Sequence, residues 1–353
     1  ASLTSSGNAD GVVRLLLAAP FNEAIWRHVS GLPTPMQERY WADVSPRWEG
    51  QSAEEFQVAV TNLVEARRPR TAFEFVSVDL EKVEPLTLHM LLRSIATIGD
   101  EPAGTHLLSA HSLEKAISLL DESKQIAEDA MASLEFMYID VIEQARGKAR
   151  NLERQLATSP MLYVQVLSYL YRRADDGEDP ANWKIQDPEL AAATARRAYA
   201  LLTHIRRLPG TRPDGTVDEA ALIAWIEETR RLAADFGRLE PADKMIGELL
   251  YSKQAGEDGV WPQEPIREAL EHVRSKAMAR GMSLATYNGR GAVWRGEGGQ
   301  QERDLAATYL QHSSALAYSH PFVSKMLQQI AQFYERDAAY EDASATADRR
   351  LRR

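Results

Sequence analysis

The sequence predicts an all-α fold, with antiparallel helix pairs stacked into an α-solenoid-like array. Three observations carry that prediction. Apolar residues recur at steps of three and four along most of the chain, which places them on one face of a helix. Leu113, Ile117 and Leu120, with Ile126 six residues further on, mark one such stripe, and Leu134, Met137, Tyr138, Val141 and Ile142 mark another. Alternating apolar and polar runs of strand type are almost absent. Finally, Pro- and Gly-bearing breakers cut the chain into segments of about 10–20 residues, the ordinary range of globular helices.

The elements follow in order. Residues 1–10 are small and polar and read as a linker; a chain opening on Ala1 rather than Met reads as a piece of a longer protein. The apolar run Val12–Phe21 is interrupted by Arg14 and is too short to span a bilayer, which takes about 20 apolar residues. Stops fall at Gly31-Leu-Pro33, Ser45-Pro46, Arg68-Pro69, Gly99–Gly104, Thr158–Pro160, Gly177–Pro180, Pro209–Gly215 and Gly256–Pro265. Ser52 with Glu55 three residues on has the form of a capping box, and Ser109 and Asp218 stand where helix N-caps belong. Phe73–Leu80 (FEFVSVDL) alternates like a strand, but a lone strand would have no pairing partner, so it is read as helix. Around Leu63–Phe73 and again around Asn151–Tyr171 a helix end, a Pro turn and a second helix succeed one another, with the small residue Ala72 placed for close packing. The helical array therefore covers residues 11–342, with a candidate sub-boundary near 175–185. Residues 343–353 form a polar tail rich in arginine, expected to fray.

Composition limits the chemistry. The 353 residues carry 41 Lys+Arg against 51 Asp+Glu, a net charge of −10. That acidic balance disfavours a dedicated nucleic-acid binder, since phosphate contacts need clustered basic groups. No cysteine is present, which removes disulfides, thiolate metal sites and a cysteine nucleophile. The eight histidines (His28, His89, His106, His111, His204, His272, His312 and His320) contain no His-Glu-x-x-His pair, so no zinc helix is written in the sequence. Asp214 and Asp218 lack the remaining ligands of a calcium loop and fit a turn residue and a helix cap instead.

Two turns resemble one another. Residues 174–180 (Ala-Asp-Asp-Gly-Glu-Asp-Pro) precede Trp183, and residues 255–260 (Ala-Gly-Glu-Asp-Gly-Val) precede Trp261. Each is either an exposed loop whose Trp plugs the core or an acidic lip around a binding groove. The most irregular segment is residues 287–302, with five glycines in the eleven residues from Gly289 to Gly299. It lacks the Lys-Ser/Thr of a P-loop and the third glycine of a dinucleotide fingerprint. It is either a clasp that buries Trp294 and ties its arginines to local acceptors, or a recognition element. Arg290, Trp294, Arg295 and Glu297 are its candidate partner-binding residues, because Trp and Arg dominate binding hot spots. Arg290, between two glycines, is expected to face outward.

Residues 256–265 (GEDGVWPQEP) and 287–303 (YNGRGAVWRGEGGQQER) resemble the C-terminal helical region of long, mostly uncharacterised bacterial proteins. Such regions are similar to the tetratricopeptide- or HEAT-like sensor parts of bacterial multidomain immune and signalling proteins. The resemblance implies a binding module, the C-terminal part of a larger bacterial protein, separated from its catalytic parent and carrying over no active site. Together with the acidic composition and the lack of an apolar span or signal segment, the expectation is a cytoplasmic, non-enzymatic interaction or sensor module that takes a protein or peptide partner, with no cofactor, nucleic acid or membrane. Two alternatives stand beside it: an enzyme with a non-standard site at the Gly-rich loop 287–302, and a purely structural oligomerisation region.

Overall fold

A helix begins where a side-chain oxygen can take up the backbone N–H groups that its first turn leaves unbonded. In the computed structural model, which describes residues 9–98, 108–145, 147–290 and 298–351, the three caps expected from sequence form as written. Glu55 N donates to the Ser52 hydroxyl while the Glu55 carboxylate accepts from Ser52 N, closing the capping box. Ser109 and Asp218 accept from Ser112 N and Ala221 N. Asp214 is a turn residue, accepting from the Thr216 amide and hydroxyl. Eighteen α-helices follow among the described residues, with no strand beyond a single bridge between Thr211 and Val217.

The chain divides into two units, residues 1–152 and 153–353. The first holds α1 (Ala9–Leu17), α2 (Glu23–Ser30), α3 (Thr34–Asp43), α4 (Ala53–Glu65), α5 (Pro69–Val76), α6 (Pro85–Thr97), α7 (Ala110–Ser123), α8 (Glu128–Met137), α9 (Ile139–Gln144) and the start of α10 (Arg150–Thr158). Successive helices pack in antiparallel pairs, and α4 reaches past α5 to α6 as α6 reaches past α7 to α8. The strand-like FEFVSVDL segment is helical through Val76 and then turns into one short 3-10 stretch, Leu80–Lys82. Its alternation arises because Phe73, Phe75 and Val76 are all buried, so a short core helix can mimic a strand. Ala72 is fully buried where α5 meets α4, as the helix–turn–helix pattern requires. Edge-to-face rings, Phe21 against Trp26 at 4.8 Å and Phe56 against Phe75 at 5.3 Å, fill the core of this unit.

The second unit holds the rest of α10, then α11 (Pro160–Ser168), α12 (Pro188–His204), α13 (Glu219–Asp235), α14 (Leu239–Leu249), α15 (Glu264–Val273), α16 (Lys276–Asn288), α17 (Gln300–Leu316) and α18 (Pro321–Leu351). Here the stacking is plainest: α11 packs on α13, α12 on α14, α13 on α15, α14 on α16 and α16 on α18. Each helix meets the equivalent helix of the next pair, so apolar faces that one pair leaves open are covered by its neighbour. The residues after Asp342 continue α18 as helix to Leu351.

The contact of α14 with α16 is unusually close. A Cβ on Gly247 would lie 2.0 Å from the Met278 carbonyl oxygen, and one on Gly281 would lie 2.0 Å from the Lys244 carbonyl oxygen. Each helix thus presents a glycine to the other's backbone. No other residue fits, and the outward faces of the two helices are held side by side.

Candidate functional site

Of the residues singled out from sequence, Arg290 is described, and Trp294, Arg295 and Glu297 lie outside the described residues. Arg290 is turned inward. Its Nη1 donates to Glu302 Oε1 at 2.7 Å, and the two side chains are only 16% and 1% exposed. The physical reason is the charge it meets: a carboxylate in the first turn of α17, sunk in the core, draws the guanidinium in. Two residues of the Gly-rich segment 287–302 are therefore tied to one another by an ion pair. Nearby, Gly299 N and Arg303 Nη1 both donate to the Asp342 carboxylate, at 2.8 and 2.7 Å. These bonds pin the start of α17 to α18.

Both Gly-Glu-Asp turns carry a buried Trp, Trp183 and Trp261. Trp183 packs on Phe236 at 4.7 Å, and Trp261 donates its indole N–H to Ser252 O at 2.6 Å. Each turn also supplies an Asp to a buried arginine that sequence reading passed over. Arg238, 1% exposed in its side chain, gives two parallel bonds of 2.7 Å to Asp179, and further bonds to the Tyr171 and Phe236 carbonyls. Arg267 makes the same fork to Asp258 at 2.8 and 3.1 Å. These hydrogen bonds hold both carboxyls below the usual Asp range. The Trp side chains plug the core, and one Asp of each turn is committed to a buried arginine. The partners stand 59 and 9 residues apart, so no fixed spacing in sequence could have exposed them.

The surface that gathers recognition chemistry lies instead on α16 and its neighbours. Arg280, Leu284 and Tyr287 recur on one face of α16 at helical spacing, and Gln329, Phe333, Arg336 and Asp337 do so on α18. Between them runs a groove of about 570 Å³. A second depression of about 450 Å³ shares Arg280 and Leu284 with the first and continues to Tyr171, Arg172, Glu240 and Lys244, so the two adjoin at Arg280 and Leu284 as a two-part channel along α16. The floor is apolar and open: Leu284, Tyr287 and Phe333 are 42%, 39% and 42% exposed.

The walls are held in place. The Tyr287 hydroxyl donates to Asp337 Oδ2 at 2.6 Å, tying α16 to α18. Arg336 lies over the Phe333 ring at 4.6 Å, and Arg280 pairs with Glu240 at 2.9 Å. Beneath the floor Tyr287 faces Tyr334, which stacks on Tyr309 at 5.6 Å. Burial pushes the Tyr309 and Tyr334 hydroxyls above the ordinary phenol range. Among the described residues no group of three His, Asp or Glu side chains is arranged to hold a metal ion, and no helix is long and apolar enough to cross a membrane.

The sequence contained this site's residues but not its geometry. The isolated glycines inside two otherwise helical stretches, Gly247 and Gly281, were the one available pointer to a close helix crossing. Compared with known proteins, the chain matches no family model, no curated protein and no solved structure at the significance required.

Proposed function

We propose that the chain is a non-catalytic interaction module and that the groove across α16 is where a protein or peptide partner binds. The observation that carries the reading is the row Leu284, Tyr287 and Phe333: three bulky side chains, each more than a third exposed, side by side and flanked by arginines. Water-exposed apolar surface in one strip, with aromatic and Arg side chains, is the composition of interface cores. Peptides that dock on helical scaffolds use such grooves for apolar anchors. Of the residues suggested by sequence, Trp294, Arg295 and Glu297 follow α16 in the chain, and we include them as a second contact for the same partner, whereas Arg290 is committed to Glu302.

Selection from a random peptide display library against the full chain tests the reading. Selected peptides are expected to bind with micromolar dissociation constants, on the order of 8 kcal/mol of binding free energy. Leu284→Asp or Phe333→Asp should weaken them tenfold or more. Because both positions are half exposed, the melting temperature should change little. Selection that enriches no binder, or binders indifferent to both substitutions, would overturn the proposal.

A further inference from the structure

The channel carries a charge opposite to that of the chain. The protein as a whole has a net charge of −10, yet the channel lining brings together four cations, Arg172, Lys244, Arg280 and Arg336, and two carboxylates, Glu240 and Asp337. Both carboxylates are engaged, Glu240 with Arg280 and Asp337 with the Tyr287 hydroxyl. All four cations sit on exposed residues along the rim, with the apolar floor between them. A cationic rim around an apolar strip, on an acidic protein, selects for ligands that bring carboxylates and bulky side chains together.

Resting on the groove reading above, we propose that the occupant is an acidic segment of a partner protein. Its Leu- or Phe-type anchors would fill the strip along Leu284, Tyr287 and Phe333. Its Asp and Glu side chains would meet Arg172, Lys244, Arg280 and Arg336. Arginine suits this role because its planar fork pairs with carboxylates bidentately. Cations also attract nucleic-acid phosphates, and the oligonucleotide probe below tests that alternative. The apolar floor offers Leu284 among its rings, where base stacking needs open aromatic faces.

Fluorescence anisotropy with the full chain tests this. Four labelled probes of equal length are used: a peptide of about 18 residues with Leu or Phe at every third or fourth position and Glu elsewhere, the same peptide with Lys for Glu, the Glu peptide with Ser for its anchors, and a single-stranded oligonucleotide. The Glu peptide is expected to bind at least tenfold tighter than the other three. Its affinity should fall several-fold as salt rises from about 50 to about 300 mM, because the charges are at the surface. R280E and R336E should each weaken the Glu peptide about tenfold and narrow its advantage over the Lys peptide; R280Q and R336Q serve where a charge reversal lowers the melting temperature.

Equal binding of the Glu and Lys peptides, lost with Leu284→Asp, would overturn the acidic partner while leaving the groove reading in place. Tighter binding of the oligonucleotide would overturn the acidic partner as well. If no probe binds and Leu284→Asp changes nothing, both readings fall.

Discussion

At the scale of single residues, the second unit is governed by charges that were moved inside and then matched. Arg238 is the clearest case. Four bonds run from its guanidinium to Asp179 and to the carbonyls of Tyr171 and Phe236. Removing the carboxylate strands a buried cation. Asp179→Asn is expected to cost about 3 kcal/mol at neutral pH, the lower end of the range for breaking a buried pair, because Asp179 keeps part of its surface in water. The hydrogen bond to Arg238 lowers the Asp179 pKa from its ordinary 3.8. A group depressed in this way contributes stability above its unfolded pKa and loses it as pH falls through the folded one. The gap between wild type and Asp179→Asn in urea unfolding should therefore be full at pH about 7 and close well below the ordinary Asp value. A gap that stays constant with pH would show that the ion pair is not its source.

Tyr163 offers the converse test. It is fully buried, packs on Trp225 at 5.0 Å, and its hydroxyl has no hydrogen-bond partner among the described residues. A buried donor without a partner costs about 1–3 kcal/mol. Tyr163→Phe should raise the melting temperature or leave it unchanged, and a loss of more than about 1 kcal/mol would contradict the burial of an unpartnered hydroxyl.

At the scale of elements, the crossing of α14 and α16 decides where the channel lies. Gly247 and Gly281 let each backbone touch the other, which sets Lys244 and Arg280 on adjoining ridges. Glycine inside a helix costs about 1 kcal/mol in propensity, and here the close approach offsets that cost. Gly281→Ala would improve local helicity, yet its Cβ would meet a carbonyl oxygen that belongs to backbone and cannot swing aside. We expect a net loss of about 1–3 kcal/mol in chemical unfolding, with Gly247→Ala behaving alike. A stabilised Gly281→Ala would mean that the helices stand further apart. The same substitutions, by separating the ridges, should weaken any peptide that binds across both.

At the scale of the whole molecule, each unit carries its own buried centre: the Phe21–Trp26–Phe75 ring cluster in the first, and the stacked helices α11 to α18 in the second. Helix α10 crosses the division, and Leu156 O accepts the Trp225 indole N–H at 3.2 Å. A fragment of the second unit therefore needs the whole of α10. Residues 149–353, expressed alone, are expected to give a helical circular dichroism spectrum and one cooperative thermal transition. Non-cooperative melting of that fragment would mean that the unit draws its stability from elsewhere in the chain.

How much of this could be read in advance follows the range of the interactions involved. The helical class, the caps at Ser52, Ser109 and Asp218, the turn at Asp214 and the Pro-led second helix at Pro69 are local. Each depends on residues within one turn of one another, so the sequence alone determines them. FEFVSVDL was ambiguous because a short helix buried on most sides loses its period, and only its packing neighbours give it away. The inward turn of Arg290 depended on Glu302, which the pattern of glycines did not reveal. The fork at Arg238, the glycine crossing of α14 and α16, and the gathering of Arg172, Lys244, Arg280, Leu284, Phe333 and Arg336 along α16 join residues that are far apart in the chain, and even the fork at Arg267 spans nine residues, beyond the reach of a local motif. Those were decided only by the tertiary structure, because burial and charge pairing depend on which faces meet, and no periodicity in a single strand of sequence records that.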